Sequence, residues 1–124
     1  MGDVTPFPKT RQLERGPRKG RRFKARPLEW ALIRAVKFGP CRTRTLGDCK
    51  GRIELHHIVP RSWLGDDVSA NIVPLCTEHH RNVTSPEVGA ALAATLTDDE
   101  YAYVVGKLGE GGIERLFGVM GGAA

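Results

Sequence analysis

The sequence lacks any apolar stretch of about 18 residues, the length that a membrane-spanning helix requires. Its first residues, 1–7, also lack the basic start and apolar middle of a secretory signal peptide. Outside the basic N-terminal stretch described below, it has no internal repeat and no low-complexity tract. These absences predict a soluble, cytoplasmic protein that does not associate with a membrane.

Cysteine is also scarce, and its odd number, three, excludes a complete set of disulfides. Two of the cysteines and all four histidines lie between Cys49 and His80, which indicates metal binding. Together Cys41, Cys49, Cys76 and His79 form a Cys3His set, the kind of donor set that structural Zn²⁺ prefers. The alternative is that the thiols serve as small buried hydrophobic side chains.

Acidic residues are few in the first 50 positions, where 14 Lys/Arg stand against 4 Asp/Glu; residues 51–124 carry 5 against 10. Residues 1–26 are basic, rich in proline and glycine, and poor in large apolar side chains, which predicts a flexible arm. Such a cluster of positive charge favours DNA as the partner, although a merely solubilising tail would look the same. The expected DNA contacts from the arm are Arg18, Lys19, Arg21, Arg22 and Lys24.

The rest of the chain, residues 27–124, reads as one α+β domain. The helical spacing of apolar residues, Leu28, Ala31, Leu32 and Ala35, predicts a helix from Pro27 that stops at Gly39-Pro40. Residues rich in β-branched side chains predict strands over Ile53–Val59 and Asn71–Leu75. Pro74 suits the second run to a sheet edge. Capping residues then predict helices after Thr77, after Ser85 and after Thr97, with a last short helix around Ile113, Leu116 and Phe117.

Three histidines, His56, His57 and His80, remain once His79 is assigned to zinc. A strand followed by the first turn of a helix can bring such side chains together at one site. Phosphodiester hydrolysis needs a base for water, a cation for the developing charge and a partner that orients the base. Because histidine titrates near neutral pH, it suits the role of the base.

The segments Glu54-Leu55-His56-His57-Ile58-Val59-Pro60-Arg61-Ser62 and Leu75-Cys76-Thr77-Glu78-His79-His80, with Asn71 between them, resemble the HNH endonucleases. Three features stand in the family's order: His-His before Ile-x-Pro, an Asn fourteen residues after the second His, and a Cys-x-x-His-His ending. The resemblance implies a small ββα-metal core over about residues 41–84, stapled by zinc and flanked by C-terminal helices within 85–124.

The resemblance also implies roles. His57 corresponds to the general base, and a side-chain or backbone oxygen of Asn71 to the group that orients its ring. His56 and His80 correspond to the ligands of a catalytic divalent ion, and Arg61 to a contact near the scissile phosphate. For Asn71 and Arg61 the alternatives are an ordinary turn residue and an ordinary exposed arginine.

Some positions depart from the usual family pattern. Many members have Asp in place of His56 and Asn in place of His80, so the metal sphere here is richer in imidazole. That composition favours Mn²⁺, Ni²⁺ or Zn²⁺ over Mg²⁺. Some members carry another histidine where this chain has Thr84, so only two protein ligands are evident.

The layout resembles small HNH proteins of bacteriophages, which act beside the large terminase subunit that packages DNA. It predicts such a partner for the C-terminal helices, in the cytoplasm of a bacterial host. Two other functions fit the sequence: a non-catalytic, zinc-stapled DNA-binding module, or an interaction protein built on a degenerate nuclease core. The three extra histidines favour the enzyme.

Overall fold

The structure is a computed structural model that describes residues 21–118. Five helices and two strands follow one another as α1 (Pro27–Lys37), β1 (Ile53–His57), β2 (Ile72–Cys76), α2 (Thr77–Arg81), α3 (Pro86–Thr95), α4 (Asp98–Leu108) and α5 (Gly112–Phe117). Short 3₁₀ turns lie at Arg44–Leu46, Arg61–Trp63 and Ser69–Asn71. This mixture of helices with a small sheet confirms the expected α+β class. Over residues 21–118, no helix has the length and apolar character needed to cross a bilayer.

The two strands pair antiparallel, with Ile53 opposite Cys76 and His57 opposite Ile72. Strand β1 is shorter than predicted, because it ends at His57. Strand β2 is shifted by one residue: it begins at Ile72, because Asn71 belongs to the preceding 3₁₀ turn, and it ends at Cys76. A proline is tolerated at position 74 because, among the described residues, the sheet consists of two strands and each strand is an edge. The carbonyl of Pro74 accepts a hydrogen bond from the N–H of Arg42 at 2.8 Å.

Helix α2 begins at Thr77, one residue earlier than it would if Thr77 were its N-cap. Its N-cap is Cys76, whose Sγ accepts the N–H of His79 at 3.3 Å. The hydroxyl of Thr77 instead lies 3.0 Å from the carboxylate of Glu54 in β1. The other predicted caps are confirmed, since Ser85 caps α3 and Thr97 forms a capping box with Glu100 in α4.

One hydrophobic core joins the sheet to the C-terminal helices. Its buried members include Val73 and Leu75 from β2, Leu92 from α3, Val104 from α4 and Ile113 from α5. Because the C-terminal helices contribute so much apolar surface to this core, they act as a scaffold for the sheet.

Helix α1 is confirmed, but the apolar repeat that predicts it is not its buried face. Leu28 and Leu32 are 75% and 63% exposed, whereas Ile33 is buried. The helix is held by Ile33 and by an ion pair from Lys37 to the buried Glu100 of α4. The side of α1 that faces the domain is therefore the side with Ile33 and the Lys37–Glu100 ion pair.

The described end of the predicted arm is tied to the domain. The guanidinium of Arg22 pairs with Asp67, the N–H of Ala25 donates to Asp67 at 2.9 Å, and the carbonyl of Phe23 accepts the Asp67 N–H at 2.9 Å. Arg22, Phe23 and Ala25, at the end of the predicted flexible arm, therefore contact the loop that carries Asp67. Arg18 and Lys19 lie outside the described residues.

Candidate metal centre and histidine cleft

Two side chains from the loop after α1, one from the end of β2 and one from α2 converge on one point, as the sequence predicts. The donor atoms of Cys41, Cys49, Cys76 and His79 all lie within 4.8 Å of one another, and only Cys49 is exposed. Cys76 ends β2 and His79 lies in the first helical turn that follows, so their three-residue spacing brings both donors to one side. These four residues are positioned to bind a metal ion.

The electrostatics of this cluster fit a cation. Partial loss of hydration at the sulfur, reinforced by the neighbouring Cys76 and Cys41, raises the pKa of Cys49 to about 12. Burial also opposes ionisation of Cys41, but hydrogen bonds from the Thr43 hydroxyl and from nearby main-chain groups outweigh it and lower the pKa of that thiol. Crowded sulfurs cannot all be thiolates without a compensating positive charge, and three sulfurs with one imidazole make a soft set suited to a tetrahedral ion.

A separate open cleft of about 710 Å³ lies along β1. Its lining includes all three histidines that the sequence leaves for catalysis, His56, His57 and His80. Helix α1 and the residue after it form one wall, from which Trp30, Arg34 and Phe38 face the cleft, and Arg61 lies near the end of β1. The fold therefore brings the predicted histidines and Arg61 into one concavity.

His56 and His80 are neighbours, with ring centroids 5.0 Å apart. Burial, with the proximity of His80 and His57, lowers the pKa of His56 to about 4, so its ring is neutral at ordinary pH. His80 has its Nδ1 atom 2.6 Å from the carboxylate of Glu54, which lies two residues before His56. A carboxylate at Nδ1 keeps the proton of His80 on that atom. The Nε2 atom then has a lone pair that can bind a metal ion.

His57 faces a different carboxylate. Its Nε2 atom lies 2.9 Å from Oδ1 of Asp67, whose side chain is only 3% exposed. Burial lowers the pKa of His57, although the hydrogen bond to Asp67 opposes that shift. Burial would raise the pKa of Asp67, but hydrogen bonds from His57, the Ala25 N–H and Arg22 bring it below its usual value. Asp67 is therefore an ionised partner that orients this imidazole.

Asn71, which the family resemblance assigns to orienting the ring of His57, makes its hydrogen bonds to the loop between the strands. Its side-chain oxygen accepts the Val59 N–H at 2.8 Å, and its amide donates to the carbonyls of Val59 at 3.1 Å and Asp66 at 3.0 Å. Its backbone oxygen accepts the N–H of Ile58 at 2.8 Å. Asn71 thus braces the loop between the strands, and the ring of His57 is held by Asp67 from that same loop.

Glu54 and Asp67 were both missed by the sequence reasoning as site residues. Glu54 stands inside the motif that carries the resemblance, and its place two residues before His56 puts it on the same strand face, a period-two signal that was available. Asp67 carries no comparable signal. It reaches His57 only because the loop turns back at Gly65, where a Cβ atom would lie 1.7 Å from the Val59 carbonyl oxygen.

The predicted DNA-contacting residues divide into two groups. Arg61 is 60% exposed and has its Nε atom 3.9 Å from Asp67, so its guanidinium is open to the cleft. Arg21 and Lys24 are also exposed. Arg22 is engaged with Asp67 and with the carbonyl of Gly65 at 3.0 Å, so its guanidinium holds the loop.

The two sites share helix α2, since His79 belongs to the metal cluster and its neighbour His80 belongs to the cleft. A bound ion at the cluster would hold α2 against the loop after α1 and so hold His80 in the cleft. Comparisons with protein-family models, with curated proteins and with solved structures give no match.

Proposed function

We propose that this protein is a metal-dependent DNA endonuclease of the HNH type, with a ββα-metal core. The observation that carries the proposal is the placement of His56, His57 and His80 in one open cleft beside Arg61. The family resemblance gives the same residues the same roles, and phosphodiester hydrolysis requires this combination of base, metal ligands and cation.

His57 acts as the general base in this proposal. Because Asp67 is ionised and faces Nε2, that nitrogen carries the proton and Nδ1 keeps the lone pair. Nδ1 takes a proton from water as the water oxygen attacks phosphorus and the P–O bond to the leaving sugar oxygen breaks. Asp67 then stabilises the imidazolium, and the leaving oxygen takes its proton from solvent.

His56 and His80 would hold the catalytic ion through neutral imidazoles. Such an ion supplies positive charge that stabilises the phosphate and the leaving oxygen. Glu54 keeps Nε2 of His80 free for this task, and the exposed guanidinium of Arg61 grips phosphate oxygens. Two imidazoles favour Mn²⁺, Ni²⁺ or Zn²⁺ over Mg²⁺.

The Cys3His cluster plays a structural part in the same proposal. Its donor set suits Zn²⁺, and a closed tetrahedral site leaves no position for substrate. The ion would staple the loop after α1 to β2 and α2, and so would position the catalytic helix. A large terminase subunit stays a predicted partner, proposed on sequence layout alone.

Cleavage of supercoiled plasmid DNA tests the enzyme. The wild type should cut with added Mn²⁺, Ni²⁺ or Mg²⁺ and not with EDTA. His57→Ala should lose at least about 100-fold in rate, the low end of what general-base catalysis contributes. Glu87→Ala, an exposed change on α3 that is not part of the cleft, is the matched control and should cut normally.

The second candidate is a DNA-binding module without catalysis. One observation favours it: across residues 21–118, the Cys3His cluster is the one group of three or more residues placed to hold a metal ion. In the cleft, His56 and His80 are the pair proposed as metal ligands, since His57 faces Asp67. If the folded, zinc-loaded wild type binds DNA yet cuts with none of the three metals, this second function replaces the first.

A further inference from the structure

Helix α1 presents three side chains to the cleft that the proposed chemistry does not use. Trp30, Arg34 and Phe38 are spaced four residues apart, which puts them in one row along the wall. Phe38, at the C-cap of α1, is 57% exposed, an unfavourable state for an aromatic ring in water. The ring of Trp30 is half-buried and meets His57 edge-on, with centroids 5.9 Å apart.

The row therefore places an aromatic side chain on each side of a guanidinium, next to the proposed general base. Arg34 is exposed, and Arg61 lies on the other part of the cleft lining. The one carboxylate of the lining, Glu54, is engaged by His80 and Thr77. Alternation of cationic and aromatic groups is the arrangement that binds single-stranded nucleic acid, with bases stacked on rings and phosphates on guanidinium groups.

The size of the cleft points the same way. Its volume of about 710 Å³ lies in the range of about 300–1,000 Å³ that encloses small organic molecules. That space is enough for a nucleotide or two. In a duplex, moreover, the faces of the bases are stacked on one another and are not available to a protein ring.

We infer that the cleft takes an unpaired segment of DNA, with one base stacked on Phe38, another on Trp30, and the neighbouring phosphates on Arg34 and Arg61. The preferred substrates are then single strands and the unpaired parts of flaps or bulges. This inference rests on the proposed function for cutting, but the binding it describes does not depend on catalysis.

Binding is measured without added divalent ion, so that cutting plays no part. In a Trp63→Phe background, Trp30 is the only tryptophan, and its fluorescence should be quenched by an oligo(dT) of about 12 nucleotides, within the usual site size. The same strand annealed to its complement should bind more weakly and quench less. Anisotropy of a labelled oligonucleotide gives the affinities in the unmodified chain.

Phe38→Ala should weaken single-strand binding about 5-fold or more, the cost of losing one stacked base. Leu32→Ala is the matched control, because it removes an equally exposed apolar side chain from the same helix outside the cleft lining. Equal losses from the two variants, or duplex bound as tightly as single strand, would overturn the inference.

Cleavage separates this inference from the proposed function. If single strands quench Trp30 and bind through Phe38 but are not cut with any metal, the nuclease proposal fails and the binding inference stands. If duplex and single strand are cut equally well and Phe38→Ala changes neither rate, the nuclease proposal stands and this inference fails.

Discussion

Glu100 is the buried charge on which the position of α1 depends, and its removal gives a sharp test. The side chain is completely buried in α4. It pairs with Lys37 from α1 and accepts two hydrogen bonds from Arg42, at 2.7 and 3.0 Å, while one oxygen also accepts the Thr97 N–H at 2.9 Å. Glu100→Gln keeps the shape and removes the charge that holds both cations.

The size of the effect follows from the pKa. Burial would raise the pKa of Glu100, but hydrogen bonds from Arg42, Lys37 and Thr97 lower it from 4.5 to about 2. At about 1.4 kcal/mol per pKa unit, this depression contributes roughly 3 kcal/mol to the free energy of unfolding at neutral pH. Loss of one partner from a buried ion pair costs about 3–5 kcal/mol, which agrees in magnitude.

The pH dependence has a definite sign. Because the folded pKa is depressed, the stabilisation is complete above the unfolded value of 4.5 and is lost as the pH falls towards about 2. Roughly 2 kcal/mol of it should be gone by pH 3. The stability difference between the wild type and Glu100→Gln should therefore shrink over the same interval, whatever metal loss both proteins share.

Urea unfolding at pH 7, 5 and 3 measures these differences, with Asp99→Asn as the matched control. Asp99 is the preceding residue of α4 and is exposed, so its neutralisation should change stability by less than about 0.5 kcal/mol. Equal midpoints for the two variants at pH 7, or a difference that does not change with pH, would refute the argument.

Three further predictions concern the two sites. Cys49→Ser, at the exposed ligand, should lower the bound zinc measured by mass spectrometry and lower the Tm, and a chelator should do the same to the wild type; an unchanged zinc content would count against the ligand set. Asp67→Asn should slow plasmid cleavage about 10- to 100-fold through the imidazole it orients, with DNA affinity retained; an unchanged rate would remove Asp67 from the mechanism. Gly65→Ala should destabilise the protein by at least about 1 kcal/mol, because the new Cβ atom would meet the Val59 carbonyl. Gly106→Ala, in open space within α4, should instead stabilise it by about 0.5–1 kcal/mol. Similar Tm values for the two variants would contradict the close approach at Gly65.

Local signals in the sequence predicted most of the elements. Pro27 at the start of α1, Ser85 before α3 and the pairing of Thr97 with Glu100 each satisfy helix ends within a few residues, so tertiary packing was not needed to find them. The strand limits were less certain, since Ile58 and Asn71 continue a β-type pattern that the chain leaves by turning.

The sequence by itself also indicated the candidate metal-binding set, because the chain has three cysteines and His79 follows Cys76 within one helical turn. The sequence also indicated the three histidines of the cleft, because they are the histidines that remain after His79 is assigned to the metal site. The tertiary structure decided their partners. Asp67 meets His57 through a loop that closes at Gly65, a contact that no periodicity encodes.

The orientation of α1 was also a decision of the tertiary structure. A repeat such as Leu28 and Leu32 defines a helix face but not the neighbour that covers it. The charged anchor at Glu100 and the buried Ile33 turn that face to solvent and direct Trp30, Arg34 and Phe38 to the cleft. Residue types and their local spacing can be read from the sequence, whereas long-range contacts depend on how the whole core packs.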